Sequence, residues 1–214
     1  MFSKLQYISQ GTNAKEQLKN IREALDAGCK WIQLRLKNTE EDEIKIVGEE
    51  VKKICASYDS IFIINDHPQI AKAINADGVH LGLTDMKINE ARKIVGNDKI
   101  IGGTANTLQD VLQRVHEGCN YVGLGPFRFT TTKEKLSPVL GVEGYKKIMN
   151  ELEQMKISIP VYAIGGIKEE EDISLLMQTG IYGIAVSGVI TNHSDKKSLI
   201  KKINSLLNEQ LNYC

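Results

Sequence analysis

The chain has no surplus of either charge: 27 Lys and Arg stand against 27 Asp and Glu in 214 residues. Nonspecific nucleic-acid binding draws on a basic excess that releases counterions from phosphates, so this balance argues against a nucleic-acid partner. Long apolar runs are missing as well. None approaches the roughly 20 residues needed to cross a bilayer, which argues against a membrane span. The N-terminal stretch contains Lys4, Lys15, Glu16 and Lys19 and no apolar segment of signal-peptide length. Cysteine is scarce and scattered: Cys29, Cys55, Cys119 and Cys214 form no C-x-x-C or Cys/His ligand spacing. They read as reduced thiols, most of them at or near element ends, in a cytoplasmic protein. The Gly-x-Gly-x-x-Gly turn that opens dinucleotide-binding sheets is absent after the first strand-like run.

What is present is a regular alternation. With 42% hydrophobic and 25% charged residues the composition is that of an ordinary globular protein. Short β-branched runs at residues 5–9, 31–36, 61–65, 78–81, 99–104, 121–125, 160–166 and 182–188 read as strands. Amphipathic stretches at 13–27, 40–57, 87–95, 107–117, 142–155, 169–179 and 194–211 read as helices. In the second of these, Ile44, Val47, Val51 and Ile54 recur at spacings of three and four among charged residues. Asn13, Thr39, Thr107 and Ser194 are candidate N-caps. Glu16, Asp42 and Asp110 stand three residues after the first three, as in a capping box, whereas Lys197 follows Ser194. A weak repeat, Ala27-Gly28-Cys29-Lys30-Trp31, Ala76-Asp77-Gly78-Val79-His80, Glu117-Gly118-Cys119-Asn120-Tyr121 and Thr179-Gly180-Ile181-Tyr182-Gly183, puts a Gly at or just past a helix end before each following strand. Eight alternating units of about 27 residues predict a single α/β domain over 1–214, a closed (β/α)8 TIM barrel, with an open doubly wound sheet as the alternative. No apolar stripe stands apart from the barrel-packing faces, so the pattern assigns no oligomeric state.

In such a barrel the chemistry sits at the C-terminal strand ends. Alternation sends Gln33, Arg35 and Lys37 to one face of the second strand, and cations aimed into a barrel mouth call for an anion. Asn65-Asp66 ends the third strand and Asp85 follows the fourth. These two acidic residues can meet across the mouth and suit Mg²⁺ completed by substrate phosphates. His67 and His80 lack partners at ligand spacing and read as packing or cap residues. Gly125-Pro126 opens a segment without helical or strand period, from Phe127 to about Leu140. Its Thr130, Thr132 and Lys133 supply phosphate-binding hydroxyls and an ammonium. After the seventh and eighth strands, Gly165, Gly166, Ser187 and Gly188 match the backbone phosphate site common in barrels. The residues thus suggest two anion stations: one of Gly166, Ser187 and the threonine loop, the other of Arg35, Lys37, Asn65 and Lys133 with Asp66 and Asp85 beside a divalent cation. Two stations fit two phosphorylated substrates, or one that is doubly phosphorylated.

Taken in order, Gln33-x-Arg35-x-Lys37, Asn65-Asp66, Ala76-Asp77-Gly78-Val79-His80-Leu81-Gly82 with Asp85, Gly125-Pro126 through Lys133, and Ala163-Ile164-Gly165-Gly166-Ile167 resemble the thiamine-phosphate synthase family over essentially the whole chain. The resemblance implies a (β/α)8 barrel that joins a hydroxymethylpyrimidine diphosphate to a thiazole phosphate and releases pyrophosphate, with one Mg²⁺ per subunit. It implies that Arg35, Lys37, Asn65 and Lys133 hold the diphosphate, that Arg35, Lys37 and Lys133 are its catalytic cations, and that Gln33 faces the pyrimidine. It further implies Asp66 and Asp85 as metal ligands, and Thr130, Thr132, Gly166, Ser187 and Gly188 at the thiazole phosphate. Thr104 stands where the family usually has a serine that contacts pyrophosphate, and it keeps the hydroxyl. Asn106, Leu83 and His67 depart from the usual pattern without removing a phosphate or metal ligand.

Three other readings compete. A thiazole tautomerase resembles the synthase closely, but its acid/base His would fall at Asn106, and an amide does not shuttle protons near neutral pH. A phosphosugar epimerase or isomerase needs a positioned acid and base at strand ends, for which an acidic pair suited to Mg²⁺ is a poor substitute. A non-catalytic phospholigand regulator would release no pyrophosphate.

Overall fold

The computed structural model describes residues 2–129 and 138–208. Eight parallel strands close into a barrel in sequence order. They are β1 (Leu5–Ile8), β2 (Trp31–Leu34), β3 (Ile61–Asn65), β4 (Gly78–Leu81), β5 (Ile100–Ala105), β6 (Tyr121–Leu124), β7 (Val161–Ile164) and β8 (Gly183–Val186). Around them lie α1 (Ala14–Asp26), α2 (Glu41–Ser57), α3 (Pro68–Ala73), α4 (Ile88–Val95), α5 (Leu108–His116), α6 (Gly141–Gln154), α7 (Glu170–Met177), α8 (Gly188–Thr191) and α9 (Lys196–Asn208). β8 closes on β1 through the pairs Leu5↔Ile184, Gln6↔Ala185 and Tyr7↔Val186. With both edges joined, none of these eight strands is left as an open edge.

Strand alternation divides the core in two. Ile32, Leu34, Phe62, Ile64, Val79 and Leu81 pack outward against helix residues such as Ile21, Val47 and Val51. Trp31, Ile63, Tyr121 and Tyr162 form a separate cluster, joined by Phe2, Ile61, Ile100 and Tyr182. The Trp31 ring lies 5.0 Å from Tyr121 and 5.2 Å from Tyr162, both edge to face, and these two tyrosines are 5.5 Å apart. Edge-to-face pairs of this kind add about 0.5–1.5 kcal/mol each beyond the burial of their area. This end of the barrel is therefore a packed floor.

The cap at Asn13 forms as expected, its side chain accepting from the Glu16 N–H, and Thr107 with Asp110 makes a reciprocal capping box. Two other caps differ. Glu40 occupies the N-cap of α2 with no side-chain cap bond, while the Thr39 hydroxyl turns back to donate to the Lys37 carbonyl. Near α9 it is Asp195, not Ser194, whose carboxylate accepts from the Ser198 N–H. α3 and α8 are additional to the expected helices; at six and four residues they are too short to show a 3.6-residue period. In the second copy of the repeat the left-handed residue is Asn75, with φ +53°, rather than Gly78. Gly78 instead begins β4, where a Cβ would stand 2.7 Å from that of Ile100. Among the described residues no helix is long and apolar enough to cross a membrane.

Candidate active site

One strand shows how the barrel interior changes from floor to mouth. β2 puts Trp31 into the aromatic floor and Gln33 inward two residues later. Arg35 lies one residue beyond the strand end, earlier than the expected run to 36. Each two-residue step climbs about 6.6 Å.

The level above the floor is polar and internally matched. Gln33 Nε2 donates to Asn65 Oδ1 at 2.6 Å, and Gln6 Nε2 donates to the Tyr121 hydroxyl at 3.2 Å. The same hydroxyl lies 3.0 Å from His80 Nδ1, and His80 Nε2 lies 3.0 Å from the Thr104 hydroxyl. Burial pushes the Tyr121 hydroxyl above its ordinary range, so it stays protonated and usable as a donor. Buried polar groups persist when hydrogen-bonded in this way. His80 is thus the centre of a buried polar chain, which its reading as a packing or cap residue did not capture. His67 sits at the N-cap of α3, 3.7 Å from Glu41.

The mouth is charged. Asp66 has φ +68°, a left-handed conformation that Asp and Asn tolerate better than most residues. Its carboxylate forms an ion pair with Lys37 Nζ. Asp85 accepts from the Gly82 N–H at 2.6 Å. Burial raises the Asp85 carboxyl above its usual range, and Asp66 raises it further through a side-chain hydrogen bond and its negative charge. The two acids are thus near enough to interact. Arg35 is half-buried; desolvation lowers its guanidinium from the ordinary value and the charge of Asp66 opposes that shift. It remains cationic throughout the physiological range.

Two crowded carboxylates supply hard oxygen donors that a divalent cation would satisfy. Among the described residues no third Asp, Glu, His or Cys joins them in a ligand cluster. Such a shell leaves most positions to water and ligand oxygens, the habit of Mg²⁺, and the residues fit that ion.

A cavity of about 320 Å³ opens beside this group and is lined by Gln10, Thr12, Arg35, Lys37 and Ser187, among others. Ser187 donates to Gln10 Oε1 at 3.2 Å, and Gly188 lies next to it as the first residue of α8. Arg35 and Lys37 of one expected anion station and Ser187 of the other thus line the same cavity, while Gly166 and Asn65 do not line it. Gly166 has φ +77°, and a Cβ there would stand 2.6 Å from the Arg128 carbonyl oxygen, so only glycine fits this turn. Thr130, Thr132 and Lys133 lie outside the described residues. Asn106 donates through Nδ2 to the Gly125 carbonyl, and Leu83 is partly exposed.

Two supporting arginines escaped sequence reasoning. Arg114, buried on α5 with Glu117 at 2.8 Å, donates to the Thr104 carbonyl at 3.1 Å and the Gly82 carbonyl at 3.0 Å. It thereby ties the ends of β4 and β5 together. Arg128 lies over the Phe127 ring and pairs with buried Asp172 at 2.6 Å, while Asp172 also accepts from the Lys168 and Glu169 N–H groups. This pair joins the root of the β6–α6 loop to the β7–α7 turn. Acidic residues following both, Glu117 and Asp172, were visible, but nothing in their spacing tells a buried pair from a solvated one.

Residues 5–190 match the family model described as thiamine monophosphate synthase. The chain is 58% identical over 207 residues to the thiamine-phosphate synthase of Flavobacterium johnsoniae, covering 97% of each chain. It is 48% identical to that of Phocaeicola vulgatus over 202 residues, 94% of this chain and 97% of the relative. Among solved structures, the thiamine phosphate pyrophosphorylase of Pyrococcus furiosus superposes with a TM-score of 0.83 at 31% identity, covering 97% of this chain and 96% of that one. With each match spanning most of the chain, the charged barrel mouth has its family: the chain belongs to the thiamine monophosphate synthases, transferases of thiamine biosynthesis.

Proposed function

We propose that the chain joins hydroxymethylpyrimidine diphosphate to a phosphoethyl thiazole, in its free or carboxylated form, and yields thiamine phosphate and pyrophosphate, with carbon dioxide as a further product when the thiazole is carboxylated. The reading rests above all on the convergence of Arg35, Lys37, Asp66 and Asp85 at one mouth, with Ser187 on the wall of the adjoining cavity. In a dissociative course the bond from the pyrimidine methylene carbon to the diphosphate oxygen breaks first, and its electron pair leaves with pyrophosphate. The thiazole nitrogen then donates its lone pair to the methylene cation, forming the carbon–nitrogen bond. That nitrogen loses no proton, so the step needs charge stabilisation and positioning rather than a general base.

The chain's own groups divide accordingly. Arg35 and Lys37 meet the leaving diphosphate, joined by Asn65, Thr104 and Lys133. Gln33, held by Asn65, presents its amide to the pyrimidine. Ser187, Gly166 and Gly188 receive the thiazole phosphate with Thr130 and Thr132. Asp66 and Asp85 would hold Mg²⁺, and the chemistry supplied there is neutralisation of negative charge on the departing oxygens. The tautomerase reading is weakened because the Asn106 amide is engaged with a backbone carbonyl and is neither an acid nor a base near neutral pH.

The test is to mix both substrates with and without Mg²⁺ and follow pyrophosphate. Release that requires both substrates and the cation is expected. Isomerisation of the thiazole phosphate with no pyrophosphate would replace this reading with the tautomerase.

A further inference from the structure

We propose that Ser9 and Gln17 are positioning residues for Arg35, gripping its main chain from both sides so that the guanidinium faces the diphosphate. The proposal rests on the assignment of Arg35 above. β2 ends at Leu34, and the last main-chain bond from the end of β1 runs from the Ser9 N–H to the Gln33 carbonyl at 2.8 Å. Beyond it, side chains take over. The Arg35 N–H donates to Ser9 Oγ at 3.0 Å, and the Arg35 carbonyl accepts from Gln17 Nε2 at 3.2 Å. The same Nε2 donates to the Gly11 carbonyl at 3.3 Å, so one amide ties the β1–α1 and β2–α2 loops together.

The grip is buried and closely packed. Ser9 is 3% exposed and Gln17 2% exposed. Gly11 presses on the first turn of α1 so tightly that a Cβ would lie 2.7 Å from the Gln17 nitrogen. Gln17 Oε1 is buried with no hydrogen-bond partner among the described residues. Burying an unmatched acceptor is destabilising, and an apolar side chain at this place would avoid it. What the glutamine provides in return is a donor that fixes two loop carbonyls bordering the cavity. A guanidinium at the end of a long side chain amplifies any tilt of its backbone, and displacements of about 1 Å at a reacting centre cost on the order of 10²-fold in rate.

The test sets Ser9→Ala and Gln17→Met in the parent and in an Arg35→Ala background, the latter assayed at raised enzyme concentration. In the parent, kcat/KM for the pyrimidine diphosphate is expected to fall about tenfold for each, with KM for the thiazole phosphate changed less than about twofold. In the Arg35→Ala background the same substitutions are expected to change kcat/KM less than about twofold, because no guanidinium remains to be aimed. Ser9→Thr, which keeps the hydroxyl, restores most of what Ser9→Ala loses. This pair carries the comparison alone if Gln17→Met does not fold. Equal losses in both backgrounds, or no loss in the parent, overturn the proposal while leaving the role of Arg35 intact. Unchanged turnover in Arg35→Ala itself overturns the role of Arg35 and the proposal with it.

Discussion

The floor and the mouth of this barrel are built from the same strands yet hold opposite chemistry. At the floor Trp31, Tyr121 and Tyr162 are wholly buried and touch edge to face. About two strand steps higher, Arg35, Lys37, Asp66 and Asp85 crowd together, with one carboxyl held above its ordinary range by burial and by its neighbour. The lower half gains stability from the area it removes from water. The upper half holds like charges whose mutual cost falls when a cation and a polyanion arrive. Between them the buried polar chain Gln6–Tyr121–His80–Thr104 converts one into the other, since Tyr121 places its ring in the floor and its hydroxyl among the polar groups. Stability and activity should therefore separate by height within one strand.

The sharpest break in that comparison is at the mouth. Arg35→Ala is expected to lower turnover by about 10²–10³, the usual cost of losing one preorganised contact to developing charge, about 2.7–4 kcal/mol. Its urea midpoint should stay near the parent's. Asp66→Asn should lose turnover on a similar scale while keeping the fold, because Asn also accepts the left-handed backbone at this position. Trp31→Ala is the converse case: a loss of about 3–5 kcal/mol in equilibrium unfolding is expected from the cavity left behind. A Trp31→Ala protein as stable as the parent would show that the floor is not the principal anchor.

The intermediate layer should give an intermediate effect. Thr104→Val removes the hydroxyl beside His80 Nε2 and leaves a buried ring nitrogen short of that partner, a cost of about 1–3 kcal/mol in chemical denaturation. Smallest of all, the described thiols should resist alkylation. Burial holds Cys29 at about 11 and Cys55 and Cys119 at about 12, so the reactive thiolate grows only as pH rises toward those values. Native protein treated with iodoacetamide at pH 8 is expected to carry no adduct on these three by peptide mass spectrometry.

The comparison also explains what the sequence disclosed. Parts of the mouth were legible because they belong to short local motifs: Arg35 and Lys37 alternate along one run, and Asp66 directly follows the end of another. The eight-unit barrel was legible because the strands, and the helices other than α3 and α8, each announce their own period. The polar chain was not, because Gln6, His80 and Tyr121 meet across separations of 41 to 115 residues and only the closed barrel brings them together. Nothing in the 107–117 stretch sets Arg114 apart from its other charges, although it is buried against the carbonyls of Thr104 and Gly82. Ser9 and Gln17 carried no signal either, since a serine ending a strand and a glutamine on a helix are ordinary until their partners are known.

Calorimetric titration of inorganic pyrophosphate, with and without Mg²⁺, tests most directly whether the mouth cradles a departing diphosphate. Binding that requires Mg²⁺ and weakens at least about tenfold in both Arg35→Ala and Asp85→Asn is expected, each step of that size being 1.4 kcal/mol. Binding of equal strength in the parent and both variants, or indifferent to the cation, would contradict it.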